Sequence, residues 1–353
     1  MVERIEGKWI AMFARTFRLC GIGAGDTVAI LSETQSREIN VQLAELALFE
    51  IGARVFHIRL PTPQAPDGVP VRSTGSSTVI GGLEPVIHAL ASVHTVIDCT
   101  VEGPLHSIEL PRILQGGARV FMISNEHPEI LERLQPDVGL RPSVEEAKRK
   151  LSAATLMRVT SEAGTALEVD VRDAPVRGAA GYVDQPGQVA YWPGGLCLCF
   201  PRSGCVNGRV VLDEGDVNLT FKRYITKPVE LVFENDHVVD INGKGLDADL
   251  LRSYYAAWKD TAAYGVSHVG WGLNPVARWD ALTMYDKAQI NGTELRAFAG
   301  NFLFSTGANE HAQRFTRGHF DFPMRNCTVT LDDEVVVDQG RLVGESSHAG
   351  GSA

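Results

Sequence analysis

The chain has 353 residues, of which 44% are hydrophobic and 22% charged, and its formal net charge is −10 at pH 7. This composition is that of a globular protein and excludes a disordered, collagen-like or small disulfide-rich chain, while the length favours two domains. The acidic balance argues against nucleic acid as a partner, since phosphates repel a surface of the same sign. No apolar run reaches the ~18 residues of a membrane helix, so no membrane association is expected.

The N-terminus and the cysteines predict a reducing compartment. Charges begin at Glu3 and continue to Lys8 without the apolar core of a signal peptide, so a cytoplasmic protein with six free thiols is expected. Cys197, Cys199 and Cys205 could together form a soft metal site. Because the first two alternate with leucines, a buried strand is the better interpretation of this segment.

Residues 1–155 alternate helical and strand patterns, which predicts an open α/β layer as the first domain. In chain order, the pattern gives a helix over 3–20, a strand over 27–31, a helix over 36–49, a strand over 53–58, and short elements over 84–90, 93–97, 107–114, 119–123 and 127–134. The segment 60–77 is rich in Pro, Gly, Ser and Thr and is predicted to be a long loop.

Three alternate glycines, Gly21, Gly23 and Gly25, invite comparison with a dinucleotide-binding fingerprint. They follow a helix and precede a strand, whereas the fingerprint needs the reverse order so that phosphate meets a helix N-terminus. No nucleotide site is therefore expected here.

Residues 156–343 are predicted to form an α+β domain with mostly antiparallel strands, followed by a flexible tail over 344–353. Strands are predicted over 156–160, 166–171, 206–212, 217–221, 229–233, 238–241, 327–331 and 335–337, with a helix over 247–258.

A His-x-Asp pair, His319 and Asp321, carries the clearest chemical signal. On a strand, residues i and i+2 point to the same face, so both side chains can hold one ion. His268, in a glycine-bounded strand-like run, completes two imidazoles and one carboxylate. This set binds ferrous iron in oxygenases and equally suits a catalytic zinc ion, but the spacing alone leaves ordinary structural histidines open. Glycines flank these residues, which favours a backbone-lined site.

Several short blocks in order resemble the 2,5-dihydroxypyridine 5,6-dioxygenase family, part of the wider aminopeptidase T-like group. The resemblance is close from about residue 182 to 343 and weaker through the N-terminal half. The blocks are GYVDQPG over 181–187, WPGG over 192–195, YGVSHVGWGLNP over 264–275, RAF over 296–298, GNFLFSTG over 300–307, HFDFP over 319–323, RNC over 325–327 and LDD over 331–333.

The resemblance implies an Fe(II)-dependent, extradiol-like dioxygenase that opens the ring of 2,5-dihydroxypyridine or a related hydroxylated N-heteroaromatic. It implies a small aromatic substrate and dioxygen as reactants, and a homo-oligomer. His268, His319 and Asp321 match the family's iron ligands. His106 matches an acid/base residue of the pocket, which would place that pocket at the domain boundary.

The resemblance also suggests further pocket residues. Ser305 falls in a block that lies near the metal in relatives, and Trp271 and Phe304 are expected to shield the reaction from water. Tyr191 stands where close relatives have a second pocket histidine. Residues 178–180 are Gly-Ala-Ala where relatives have a glutamate. These departures leave the exact ring substrate open.

Two other functions stay open. One is a mononuclear hydrolase similar to aminopeptidase T, acting on an amide or N-heterocycle. Aminopeptidase T enzymes hold two metals with several glutamates, whereas Glu294 is the only glutamate between residues 235 and 309 here. A hydrolase with this sequence would therefore hold a single metal. The other is a non-enzymatic binding protein with a degenerate site, which the presence of all three ligand positions argues against.

Overall fold

The structure is a computed structural model of this chain, and it describes residues 4–64, 77–123 and 125–344. Most of the predicted loop over 60–77 and of the predicted tail over 344–353 lies outside the described residues.

Within the described ranges, the chain forms eight α-helices and twenty strands. The helices are α1 Gly7–Leu19, α2 Glu38–Ile51, α3 Glu84–Ala91, α4 Leu110–Gln115, α5 Pro128–Arg133, α6 Leu140–Ala153, α7 Leu246–Trp258 and α8 Thr293–Ala297. The strands are β1 Thr27–Glu33, β2 Arg54–Leu60, β3 Thr95–Asp98, β4 Arg119–Ile123, β5 Leu156–Thr160, β6 Ala166–Asp170, β7 Val176–Ala179, β8 Val189–Trp192, β9 Leu196–Cys199, β10 Val206–Leu212, β11 Val217–Asn218, β12 Arg223–Tyr224, β13 Val229–Glu234, β14 His237–Asn242, β15 Val266–Gly272, β16 Phe302–Asn309, β17 Arg314–Met324, β18 Thr328–Leu331, β19 Glu334–Asp338 and β20 Arg341–Leu342.

The first sheet has five parallel strands in the order β2-β1-β3-β4-β8. The chain passes from β2 back over β1 to β3, so the strand order reverses between β1 and β3. In open parallel sheets, ligands bind outside the carboxyl ends of the strands at such a reversal. The carboxyl ends of β1 and β3 are Glu33 and Asp98, both buried. The sheet thus places two carboxyl groups where a ligand is expected.

Three antiparallel sheets complete the fold within the described residues. The first has eight strands in the order β14-β13-β10-β6-β5-β18-β19-β20, the second has five in the order β17-β16-β15-β9-β7, and the third pairs β11 with β12. Phe304 of β16 packs edge-on against Phe233 of β13 with ring centroids 5.1 Å apart. One face of the five-stranded sheet therefore packs against the eight-stranded sheet in the main hydrophobic core.

These elements agree with the predicted fold class, which combines a parallel α/β layer with mostly antiparallel strands. Strand β8 lies beyond the predicted boundary at residue 155 but pairs with β4, so it belongs to the first sheet. The division into two domains stays a prediction. Cys197 and Cys199 lie in the buried strand β9, as the leucine alternation indicates. Among the described residues, no helix has the length and apolar character needed to cross a membrane.

Candidate metal centre and active site

The five-stranded antiparallel sheet presents alternate residues to its two faces. Register pairs Ser305 with Asp321 and Gly307 with His319, so these four residues share one face with His268. The intervening residues, Phe302, Phe304, Phe320 and Phe322, point to the core between the antiparallel sheets. One face of this sheet is therefore structural, and the other carries the polar residues.

The polar face closes a cavity against the carboxyl end of the parallel sheet. Asp98, Met122 and Tyr191 line the cavity from the parallel strands, while His268 and His319 line it from the antiparallel strands. The volume open to the centres of water-sized molecules is about 70 Å³. At roughly 10–15 Å³ for each such position, this space suits one small ring. The site lies where the two predicted domains meet.

His268, His319 and Asp321 converge inside this cavity. The Nε2 atoms of His268 and His319 each lie 3.5 Å from Oδ1 of Asp321. Oδ1 is buried and has no hydrogen-bond partner among the described residues. Both distances exceed the about 2.7–3.2 Å of an N–H···O hydrogen bond. Ligand atoms that share one ion about 2.0–2.2 Å away lie about 3–3.5 Å from one another, so this donor set fits a metal ion.

The protonation states also favour metal binding. Burial lowers the pKa of His319 and lowers that of His268 well below its ordinary value, so both imidazoles are neutral near pH 7. Burial alone raises the pKa of Asp321, but the guanidinium of Arg296 together with the neighbouring imidazoles of His319 and His268 outweighs burial and holds that pKa far below the usual range. Two neutral imidazoles and an ionised carboxylate are the forms that bind a divalent cation.

Arg296 determines which carboxylate oxygen faces the histidines. Its Nε donates to Oδ2 of Asp321 at 2.8 Å, and a terminal nitrogen lies 2.7 Å from the same oxygen. Arg296 extends from α8, whose first turn is held by the buried carboxylate of Glu126. That carboxylate accepts backbone N–H groups of Asn291, Gly292 and Thr293 at 2.6, 2.7 and 2.9 Å. Because Oδ2 is engaged, Oδ1 is the oxygen left for an ion.

His106 joins the same cluster from the first half of the chain. One ligand atom each of His106, His268 and His319 lies within 4.8 Å of the other two. The Nδ1 of His106 lies 3.2 Å from Oε2 of Glu310, and its Nε2 is buried without a hydrogen-bond partner among the described residues. The structure thus brings together all four residues that the resemblance singled out for metal binding and acid/base chemistry.

Ser305 lies beside the cluster and contacts the backbone of a histidine. Its hydroxyl accepts the N–H of His268 at 3.0 Å and donates to the carbonyl oxygen of His268 at 3.1 Å. These bonds bridge a register irregularity between β15 and β16, where the strands would otherwise leave this backbone unpaired. Ser305 therefore supports the position of His268, and it is not among the residues that line the cavity.

Trp271 and Phe304 were expected to shield the substrate, and the structure does not bring them to the cavity. Both are buried in the main core. Trp271 is three residues from His268, and Phe304 is next to Ser305, so strand alternation turns both side chains to the opposite face. The apolar cavity walls are formed by other side chains: Leu105, Met122, Leu196, Leu198 and Leu303.

Tyr191 lines the cavity from β8. Burial raises the pKa of Tyr191 well above its ordinary value, so the hydroxyl stays protonated and can donate. The neighbouring departure at 178–180 does not line the cavity, and a Cβ on Gly178 would lie 2.7 Å from Cγ1 of Val144. The change that reaches the substrate space is therefore Tyr191.

Asp98 is a cavity residue that the sequence analysis missed. Its Oδ1 accepts the Thr100 hydroxyl at 2.8 Å and the Thr100 N–H at 3.3 Å. Burial raises the pKa of Asp98 to about 7 despite these bonds, and the charge of Glu33 adds to the shift. A polar residue that ends an apolar run before a reversal of strand order is the signal that could have identified it.

The Asp98→Asn substitution is expected to stabilise the protein more as the pH rises. A carboxyl with a raised pKa keeps in the folded state a proton that the unfolded chain loses above about pH 3.9. Wild-type stability therefore falls between about pH 4 and 7, and the variant should gain about 1.5 kcal/mol at pH 5 and up to ~4 kcal/mol at pH 8. Denaturant unfolding at both pH values measures this. The exposed Asp173→Asn variant is the control, and equal gains at both pH values would contradict the assignment.

Glu294 is the glutamate that could help to bind a second metal, as in aminopeptidase T-like enzymes. Arg133 donates two hydrogen bonds to its carboxylate, at 3.0 and 2.8 Å, and the Arg278 N–H donates a third at 2.9 Å. This glutamate is therefore engaged in structural contacts. Within the described ranges, the group of potential ligands is the histidine cluster, which favours a single metal.

Comparison with known proteins agrees with this site. A family model described as 2,5-dihydroxypyridine 5,6-dioxygenase matches residues 8–344. A 2,5-dihydroxypyridine 5,6-dioxygenase of Pseudomonas putida KT2440 is 34% identical over 336 residues, covering 94% of this chain and 95% of the relative.

Solved structures give the same result. The structure of 2,5-dihydroxypyridine dioxygenase from Pseudomonas putida KT2440 has a TM-score of 0.91 at 32% identity, with 97% of this chain and 99% of that chain covered. AmpT from Thermus thermophilus has a TM-score of 0.58 at 14% identity, with 95% of this chain and 98% of that chain covered. At this identity the likeness shows only that the two proteins share a fold. The resemblance described from the sequence is confirmed: the chain belongs to the 2,5-dihydroxypyridine 5,6-dioxygenase family.

Proposed function

We propose that this protein is an Fe(II)-dependent dioxygenase that opens the ring of 2,5-dihydroxypyridine or a closely related hydroxypyridine. The observation that carries this proposal is the convergence of His268, His319 and Asp321 in one cavity between the parallel and antiparallel sheets. Family membership supports the reaction class, since the relative at 34% identity is named for this dioxygenation.

His268, His319 and Asp321 would hold the iron ion. Three protein ligands leave coordination positions open, which is the arrangement of ferrous oxygenases. The bound ion would supply electron transfer to dioxygen and alignment of the two reactants. The same donors also accept zinc or manganese, so the choice of iron belongs to the proposal.

His106 would take up and return the proton of a ring hydroxyl. Its Nε2 is buried beside His319, with ring centroids 4.7 Å apart, and has no partner among the described residues. A substrate held in this cavity meets that nitrogen directly. An imidazole is the side chain whose charge changes most readily near neutral pH, which suits both steps.

The cavity supports a small, flat, weakly polar substrate. Four leucines and one methionine form part of its wall, and polar side chains line it away from the histidine cluster: Asp98, Thr100, Glu102, Tyr191, Asn291, Thr293 and Arg296. An apolar wall with polar groups at fixed positions is typical of sites that orient a small ligand. A hydroxylated single ring matches this surface.

The test is an oxygen-electrode screen of hydroxypyridines with protein reconstituted anaerobically with Fe(II). The expected result is consumption of one dioxygen for each 2,5-dihydroxypyridine or related substrate, with both oxygen atoms of labelled dioxygen found in the product by mass spectrometry. Turnover without oxygen, or hydrolysis of an amide by the metal-loaded protein, would instead support the hydrolase. The zinc-loaded protein is the matched control and should consume no oxygen.

Replacing Tyr191 with phenylalanine is expected to raise KM by up to ~10-fold while changing kcat by no more than a few-fold, because one hydrogen bond to substrate is lost. Thermal stability should change little, since Tyr191 lines the cavity and the substitution keeps its ring. Steady-state kinetics measure this. Tyr224→Phe, which removes a hydroxyl bound to the Trp279 carbonyl away from the cavity, is the control. An unchanged KM in Tyr191→Phe would remove this residue from substrate binding.

The cytoplasmic location, the homo-oligomeric assembly and the lack of nucleic-acid partners stay predictions. The partners that this proposal requires are a hydroxypyridine and dioxygen.

A further inference from the structure

Glu310 contacts His106 across the boundary between the two halves of the fold. It lies 204 positions further along the chain, in the short 3-10 turn Glu310–Ala312 that connects β16 to β17. Its Oε2 lies 3.2 Å from Nδ1 of His106, and the two side chains are 25% and 1% exposed. The contact is therefore largely shielded from water, where the geometry of a hydrogen bond to a charged group is well defined.

The backbone of Glu310 is held by its neighbour. The Asn309 side chain caps the turn by accepting the Ala312 N–H at 3.1 Å, and its Nδ2 donates to the carbonyl oxygen of Pro201 at 2.9 Å. Asn309 itself is fully buried. These bonds fix the start of the turn to the segment after β9, so the carboxylate approaches His106 from a rigid support.

The carboxylate of Glu310 can only accept. Burial by itself raises its pKa, but the interaction with His106, with smaller contributions from its own backbone N–H and from His311, outweighs burial and brings the pKa to about 2. An ionised carboxylate has no proton to donate, so Nδ1 of His106 must carry the proton in their hydrogen bond. In a neutral imidazole the lone pair is then on Nε2, the nitrogen without a partner among the described residues.

The other groups around His106 do not compete for Nδ1. His268 and His319 pack against the ring, with centroids 6.2 and 4.7 Å away, and Phe200 packs edge-on at 6.0 Å. His311 lies on the far side of the carboxylate, with Nε2 3.6 Å from Oε1 of Glu310. Glu310 is thus the group that determines the orientation of the ring.

We propose that Glu310 is a positioning residue of the active site, whose carboxylate fixes the ring of His106 and the tautomer that presents the Nε2 lone pair to the cavity. The same logic orients the histidine of a catalytic triad through a buried carboxylate. The catalytic consequence rests on the proposed function of His106, whereas the tautomer can be measured without turnover.

Kinetics of the Fe(II)-loaded enzyme test the catalytic consequence. Glu310→Leu is expected to lower kcat by about 10–100-fold with little change in KM. This is the range typical of residues that orient a functional side chain through a hydrogen bond. Glu310→Gln should recover most of kcat, since the amide oxygen can still accept from Nδ1. Glu162→Ala, which removes an exposed turn carboxylate, is the control and should not differ from wild type. A kcat for Glu310→Leu within twofold of wild type would overturn the catalytic role.

Nitrogen NMR of histidine-labelled protein tests the tautomer in the metal-free and Zn(II)-loaded forms. We expect the signals of one histidine to show a protonated Nδ1 and an unprotonated Nε2. These signals should be missing from the spectrum of His106→Ala. In Glu310→Leu this signature should be lost through tautomer averaging, while Glu310→Gln should retain a major fraction of it. An unchanged signature in Glu310→Leu would overturn the assignment. If wild-type protein shows the signature but does not turn over any hydroxypyridine, the proposed function fails while the positioning role of Glu310 stands.

Discussion

His319→Ala is expected to lose bound iron and to lower turnover a thousandfold or more, equal to about 4 kcal/mol of activation free energy. The substitution removes one of the two imidazoles that face Oδ1 of Asp321. The remaining pair cannot hold a divalent ion at the same affinity, because each lost donor must be replaced by water. Iron content after anaerobic loading and desalting, measured together with oxygen uptake, checks both parts.

Two variants make this result specific. His57→Ala changes an exposed histidine on β2 that contacts Glu45, and it should retain both iron and activity. His106→Ala lies in the same cluster and should retain iron while losing turnover. Full iron content in His319→Ala would show that this residue is not a ligand. Loss of iron from His106→Ala would instead assign the metal to the three imidazoles.

Arg296→Met is expected to destabilise the metal-free protein by about 3–5 kcal/mol, because it leaves a buried carboxylate without its cation. Asp321 is 2% exposed and has Arg296 on Oδ2. In wild type, the depressed pKa of Asp321 stabilises the folded protein at pH values above about 3.9, the ordinary pKa of an aspartate. This stabilisation is lost only when the pH falls through the pKa that Asp321 has in the folded state. In the variant, the largest contribution that opposes burial is lost, so the pKa of the carboxyl is higher than in wild type. The destabilisation should therefore be larger at pH 8 than at pH 5.

Denaturant unfolding at the two pH values, with and without Zn(II), measures this effect. Added metal should recover part of the lost stability, since the ion replaces the guanidinium as a counter-charge to Asp321. Arg278→Met is the matched control, since its partner Asp280 is near the surface and such pairs contribute less than about 1 kcal/mol. Equal losses for the two arginines, or a loss independent of pH, would contradict a role for Arg296 in holding the ligand.

Local patterns were sufficient for much of the fold. Strand β10 spans the predicted residues 206–212, and the alternation of helices and strands up to residue 155 predicted the parallel layer. Trp9, Phe13 and Phe17 recur every four residues and are buried in α1, as the amphipathic pattern indicates. The strands β7 and β8 were not predicted, because four residues bounded by glycines and prolines carry too little periodicity.

The glycines near the proposed ligands have a different cause from the expected one. A Cβ on Gly307 would lie 1.9 Å from the Gly318 carbonyl oxygen, and one on Gly270 would lie 2.1 Å from that of Cys197. These glycines therefore allow neighbouring strands to approach, and a close contact between backbone and metal is not their origin.

The sequence was sufficient to place the His-x-Asp pair on one face of a strand, because the period of a strand is a local property. Its glycine-bounded, strand-like run suggested His268 as a third ligand, and the family resemblance supported that residue and added His106. Only the tertiary structure decided that Trp271 and Phe304 face the core, since the register between strands sets which face is buried. It also brought Arg296 to Oδ2 of Asp321 and Glu310 to His106 across 204 positions, and no local pattern encodes contacts between side chains so distant in the chain.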